Sequence, residues 1–149
     1  MKNVIQEVTE LYAPVERVWK ALTDSWEFGT WFRAVFDEPF VPGQVIYGRV
    51  TYPGYEHVKL ELHIVRMEKP GLFSYSWHPY AVDPAIDYSA EAMTLVEFLL
   101  EPTANGTRLT VTESGFNALP EARRDEALKM NGEGWAEQLE NIRVFVERS

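Results

Sequence analysis

A carboxylate on the apolar side of a strand is the feature of this chain best suited to chemistry. Strand side chains alternate between faces every two residues. Within Gly106 to Phe116, Glu113 therefore shares a face with Leu109 and Val111, while Arg108, Thr110, Thr112 and Ser114 share the other. Two readings of Glu113 follow. Inside an apolar cavity it would accept hydrogen bonds from a ligand hydroxyl or amine, and poor solvation would suit it to general acid or base work. Alternatively it is paired with an arginine, or caps an N–H near the turn at Ser114-Gly115, because buried carboxylates are normally paired or hydrogen-bonded.

Other groups offer less. If Trp77 faces inward, alternation turns His78 outward, unless a bulge or the turn at Pro79 re-aims it; His57 and His63 read as solvated. No two histidines have metal-ligand spacing, so neither a metal site nor a metal cofactor is expected. The chain has no cysteine, which excludes disulfides, a thiolate nucleophile and Cys-ligated metal. Gly-x-Ser-x-Gly and a glycine-rich phosphate cradle are both missing. No catalytic residue is assigned on these grounds, and no organic cofactor is implied.

The run Asn131-Gly132-Glu133-Gly134-Trp135 lies inside a helical stretch, where each glycine costs about 1 kcal/mol relative to alanine. Either the helix must approach the sheet or another chain closely, or missing side chains leave space for a ligand at a cavity mouth. Pro79 to Glu91, with Tyr80, Asp83, Asp87 and Tyr88, has no periodicity and reads as a long loop. Loops of that length are often lids or interfaces, and a disordered excursion is the alternative.

The elements that must position these groups are legible from pattern. Val4 to Leu11 reads as a strand. A helix opens at Ala13-Pro14, with proline at its first position and Val15, Val18, Trp19 and Leu22 as its stripe. A second short helix covers Trp26 to Phe32, loosened by Gly29. Strands follow at Gln44 to Tyr52, Val58 to Ile64, Leu72 to Trp77, Met93 to Glu101 and Thr107 to Phe116, punctuated by Pro-Gly turns. Thr94, Val96, Phe98 and Leu100 face inward on the fourth of these, with Leu95 and Leu99 opposite. The closing helix begins near Leu119-Pro120 and runs to Glu147, with Leu128, Trp135, Leu139, Ile142 and Val146 close to one face. Strands outnumber helices without alternating with them. The expected class is thus α+β, a curved antiparallel sheet wrapped around the terminal helix, with two short helices after the first strand.

Bulk properties narrow the function. At 149 residues, with 46% hydrophobic and 25% charged, the simplest organisation is one domain over residues 1–149. A net charge of −9 argues against nucleic acid and anionic membrane surfaces. No apolar run reaches the roughly 20 residues of a membrane span. Met1 to Glu10 carries Gln6, Glu7 and Glu10 and lacks a signal-peptide centre, so a cytoplasmic protein is expected. Aromatics make up 13%, enough to line a cavity as well as fill a core.

The segments Ala13-Pro14-x-x-x-Val18-Trp19-x-Ala21-Leu22-Thr23-Asp24, Trp31-Phe32, Trp77-His78, Thr94-Leu95-Val96-Glu97-Phe98, Gly106-Thr107-Arg108-Leu109 through Glu113-Ser114-Gly115-Phe116, and Gly134-Trp135 occur in this order. Together they resemble the START-like (SRPBCC) superfamily over nearly the whole chain, in the branch related to the activator of heat-shock protein 90 ATPase. The resemblance implies a helix-grip fold with an apolar cavity between sheet and helix. It further implies ligands such as lipids, sterols, polyketides or plant hormones, with a minority of cyclases and other enzymes. Co-chaperone members stimulate a chaperone ATPase but carry an additional N-terminal domain, for which 149 residues leave no room.

The expected function is therefore binding of a hydrophobic small molecule (lipid, polyketide or aromatic metabolite) without catalysis. Trp19, Trp31, Tyr75, Trp77, Phe98, Val111, Glu113, Trp135 and Leu139 are the expected lining, with Glu113 and Tyr75 orienting a polar group of the ligand. Two rivals stay open: a cyclase- or hydrolase-type enzyme with Glu113 as base, and an interaction module acting on a chaperone. A homodimer through the loop, or through the strand face bearing Leu95 and Leu99, is an additional expectation.

Overall fold

The computed structural model describes residues 3–148. A first strand, β1 (Val4–Leu11), leads into α1 (Val15–Thr23) and α2 (Ser25–Phe32). Six further strands follow: β2 (Ala34–Phe36), β3 (Val45–Val50), β4 (Lys59–Glu68), β5 (Leu72–Trp77), β6 (Thr94–Thr103) and β7 (Gly106–Ser114). A 3-10 turn at Phe116–Ala118 then joins the 27-residue helix α3 (Glu121–Glu147). The strands form one antiparallel sheet in the order β1-β7-β6-β5-β4-β3-β2. The architecture is the expected α+β helix-grip arrangement, a curved open sheet with a long terminal helix.

Local chemistry explains where the helices begin and end. Pro14 is the N-cap of α1 and not its first helical residue, with φ −68° and ψ 155°. Asp24 ends α1 and starts α2, its carboxylate accepting from the N–H groups of Trp26 and Glu27 at 3.0 and 3.1 Å, a strong N-cap. Gly29 does not loosen α2. An added Cβ there would lie 2.3 Å from the Ala34 carbonyl oxygen, so glycine lets α2 close onto the strand that follows it.

Alternation places the core. On β6, Thr94, Val96, Phe98 and Leu100 are buried, while Leu99 is exposed and Leu95 half-buried. On α3, Trp135, Leu139, Ile142 and Val146 are buried, joined by Ala127 in place of the half-buried Leu128. Between helices and sheet lie interlocked rings. Phe28 contacts Trp31, Tyr75 and Phe98 with centroids at 4.7, 6.2 and 6.4 Å, and Phe73 stacks on Phe40 at 5.6 Å. The middle of the concave face, expected to be hollow, is thus filled by aromatic side chains.

Candidate functional site

Glu113 sits on β7 with no solvent exposure. Its partners come from three other segments. Trp77, at the end of β5, donates its indole N–H to Oε2 at 2.8 Å, and the Thr94 hydroxyl on β6 donates to the same oxygen at 2.5 Å. Trp135 donates its indole N–H to Oε1 at 2.8 Å, and the Asn131 amide reaches Oε1 and Oε2 at 2.9 and 3.2 Å. Asn131 and Trp135 are four residues apart, hence on one face of α3. A carboxylate has about four lone-pair sites, and these donors fill them. Among the described residues neither an arginine nor a turn N–H is a hydrogen-bond partner of Glu113; two indoles, a hydroxyl and an amide take that place.

The carboxylate therefore acts as a peg. It fixes the edges of Trp77 and Trp135, whose ring centroids stand 5.8 Å apart, and Phe32 lies 6.0 and 6.2 Å from the two. These rings floor a small opening of about 160 Å³ walled by Asn131, Gly134 and Gln138. Gln138 is held in place by donating its amide N–H to the Phe32 carbonyl at 2.9 Å. Sharing Phe32, Gly134 and Gln138, a wider cleft of about 400 Å³ continues outward between Tyr52, Tyr55, Tyr80 and Met130. Ligand pockets typically measure about 300–1,000 Å³ with mainly apolar walls.

The two helix glycines now have a physical account. A Cβ at Gly132 or at Gly134 would meet nothing within 4 Å. Close approach to the sheet does not require them, and at Gly134 the missing side chain leaves the cleft open. Behind the floor, the fully buried Tyr75 hydroxyl has no hydrogen-bond partner. Burial, followed by the nearby Glu113 charge, pushes its pKa well above the usual phenol value.

The loop between β5 and β6 forms one side of the cleft through Tyr80 and Val82. Arg123, at the start of α3, holds it. The guanidinium donates to the carbonyls of Pro79 and Tyr80 at 3.0 and 3.1 Å and pairs with Glu91 at 2.9 Å. It also lies 4.7 Å from the centre of the Tyr88 ring. A larger cleft of about 520 Å³ lies between this loop and β4, beyond Trp77. Its walls mix the charged or polar Lys59, Glu61, His57, Asp83 and Asp87 with apolar groups such as Tyr47, Leu60 and Ile86. His78, expected to face solvent, lines that cleft half-buried, with Nδ1 buried and unpartnered.

Of the nine residues expected to line a cavity, Trp77 and Trp135 reach the small opening that adjoins the cleft, with Glu113, Tyr75 and Phe98 directly behind them. Trp19, Val111 and Leu139 belong to the core, as does Trp31, whose indole N–H donates to the Ala21 carbonyl at 2.8 Å. Sequence reasoning left Phe32, Gln138, Tyr52 and Tyr55 out of the lining, and had Gly134 only as one of two readings of the helix glycines and Tyr80 only as part of a candidate lid loop. One signal was available: Asn131, Gly134, Trp135 and Gln138 follow the i, i+3, i+4, i+7 spacing of a single helix face.

A family model described as Activator of Hsp90 ATPase homolog 1-like protein matches residues 12–147. Comparison with curated proteins finds no match. Among solved structures, protein MLL2253 from Mesorhizobium loti superposes with a TM-score of 0.77 at 23% identity, covering 98% of each chain. DynU16, a protein of the dynemicin biosynthetic locus, gives 0.74 at 20% identity, covering 99% of this chain and 48% of its own. Protein SSP2350 from Staphylococcus saprophyticus gives 0.70 at 23% identity, covering 97% and 91%. At these identities the likeness is one of fold.

Proposed function

The chain belongs to the Activator of Hsp90 ATPase homolog 1-like family, and we propose that it binds a hydrophobic small molecule, a lipid, polyketide or aromatic metabolite, without transforming it. The guest lies in the cleft beside α3, with Trp77, Trp135 and Phe32 beneath it and Tyr52, Tyr55 and Tyr80 at its sides. One observation carries this reading: an aromatic cleft of about 400 Å³ that stays open where Gly134 has no side chain. Apolar burial supplies the affinity, at about 25 cal/mol per Å² removed from water. Glu113 contributes by holding the two indoles and Asn131. Its occupied lone pairs leave it poorly placed to serve as a general base, which supports binding without turnover.

Thermal-shift screening of lipids and aromatic metabolites, with native mass spectrometry of hits, tests the proposal. The wild type should be stabilised by at least one hydrophobic class, as a ligand that binds only the folded state must do. Gly134→Phe, which fills the cleft from a position with free space around it, should abolish the shift while the fold persists. Loss of the proposal would follow from an unresponsive wild type, or from hits indifferent to Gly134→Phe. The family description makes modulation of a chaperone ATPase the rival, and ATPase stimulation that survives Gly134→Phe would favour it.

A further inference from the structure

Arg33 and Tyr80 are the two non-glycine residues with positive φ among the described residues, at 68° and 49°. Both line the same cleft. The left-handed region is unfavourable for L-residues with a Cβ, and such residues concentrate at ligand clamps. Arg33 is the C-cap of α2, a site where glycine would avoid the strain. An arginine thus stands where the backbone favours glycine, and what its side chain touches is visible. The guanidinium lies 5.2 Å from the centre of the Tyr52 ring and makes no ion pair with a carboxylate among the described residues. The other charged residue of the cleft, Glu137, does not pair with it. Arg33 is exposed to solvent, and its guanidinium stands over Tyr52 at the rim of the aromatic cleft, free to meet an anionic group.

Tyr80 supplies a complementary group. Burial, then the surrounding Glu126, Tyr55 and Tyr88, raise its pKa, so at neutral pH the phenol remains a donor. Arg123 holds the carbonyl of the same residue at 3.1 Å, which keeps the ring at the cleft. A planar guanidinium fork matches a carboxylate in two parallel hydrogen bonds, and a phenol O–H adds a third donor.

We propose that the cleft selects an apolar molecule bearing a carboxylate, which Arg33 reads and Tyr80 seconds. The proposal rests on the cleft being the binding site. Titration calorimetry with matched pairs tests it: 2-naphthoate against 2-naphthalenemethanol, and dodecanoate against dodecanol. The two pairs distinguish an aromatic from a fatty-acid source of the carboxylate. In at least one pair the acid should bind the wild type tenfold or more tightly than its alcohol. Arg33→Met should bring acid and alcohol to equal affinity while the alcohol is unchanged. Arg33→Gly should do the same and also raise the melting temperature, a combination that a structural role for the side chain would not give. Equal binding of acid and alcohol by the wild type overturns the charge selection alone, as does selectivity that survives Arg33→Met, provided the alcohol remains sensitive to Gly134→Phe. If none of the four probes binds, the cleft reading falls and this selection falls with it.

Discussion

At the scale of single residues, one buried carboxylate organises the end of the helix and the floor of the cleft. Removing the charge leaves at least one indole or hydroxyl donor without an acceptor, and an unsatisfied buried donor costs about 1–3 kcal/mol. Glu113→Gln should therefore destabilise the protein by about 2–4 kcal/mol in urea titration, with changed emission from Trp77 and Trp135. Tyr75 is the opposite case. Its hydroxyl is buried and unpartnered, so Tyr75→Phe should be neutral or stabilising by about 1 kcal/mol at pH 7. The phenol pKa is raised in the folded state, so above pH about 10 the unfolded chain loses this proton first. Stability present below that pH then declines as pH rises toward the folded value. Tyr75→Phe should flatten this alkaline decline in thermal melts from pH 8 to 11, and an unchanged slope would remove Tyr75 as its source. Alternation along β7 was enough to turn Glu113 inward. Its partners were not legible, because Trp77 and Thr94 meet it only through strand pairing and α3 only through tertiary packing.

At the scale of elements, glycines mark two different constraints. An added Cβ at Gly106, where β7 begins, would fall 2.0 Å from the Leu11 carbonyl oxygen. Gly106→Ala should therefore destabilise by about 3 kcal/mol through backbone displacement. Gly134→Ala meets nothing and should stabilise α3 by about 1 kcal/mol. Chemical denaturation of the two variants checks both signs. Pattern and turn residues recovered β1 and β5 to the residue and the other long strands to within a few; alternation is plain on β4 and β7 and poor on β1. These signals missed β2 and the Phe116–Ala118 turn, since three residues are too few to show a period. Space at the helix glycines was one of two alternatives in the sequence. Only the distance to neighbouring atoms decides between them.

At the scale of the whole molecule, the sheet and α3 enclose a solid aromatic core, and open volume is displaced to the rim where α2, α3 and the β5–β6 loop converge. The expectation of a hollow between sheet and helix came from the carboxylate on an apolar strand face, the glycines in the helix and the family resemblance. The aromatic rings fill the middle, and the aromatic cleft opens at the rim where Gly134 carries no side chain. Trp77 and Trp135 are two of five tryptophans, and both indole N–H groups are hydrogen-bonded to one carboxylate at the cleft floor. That makes them local reporters. The most direct test is titration of ¹⁵N-labelled protein with 2-naphthalenemethanol and dodecanol, following the five indole N–H resonances. Occupation of the cleft should shift the Trp77 and Trp135 signals saturably and leave Trp19 and Trp31 in place. Saturable binding that moves other indoles but not these two, or no saturable shift with either probe, would contradict it.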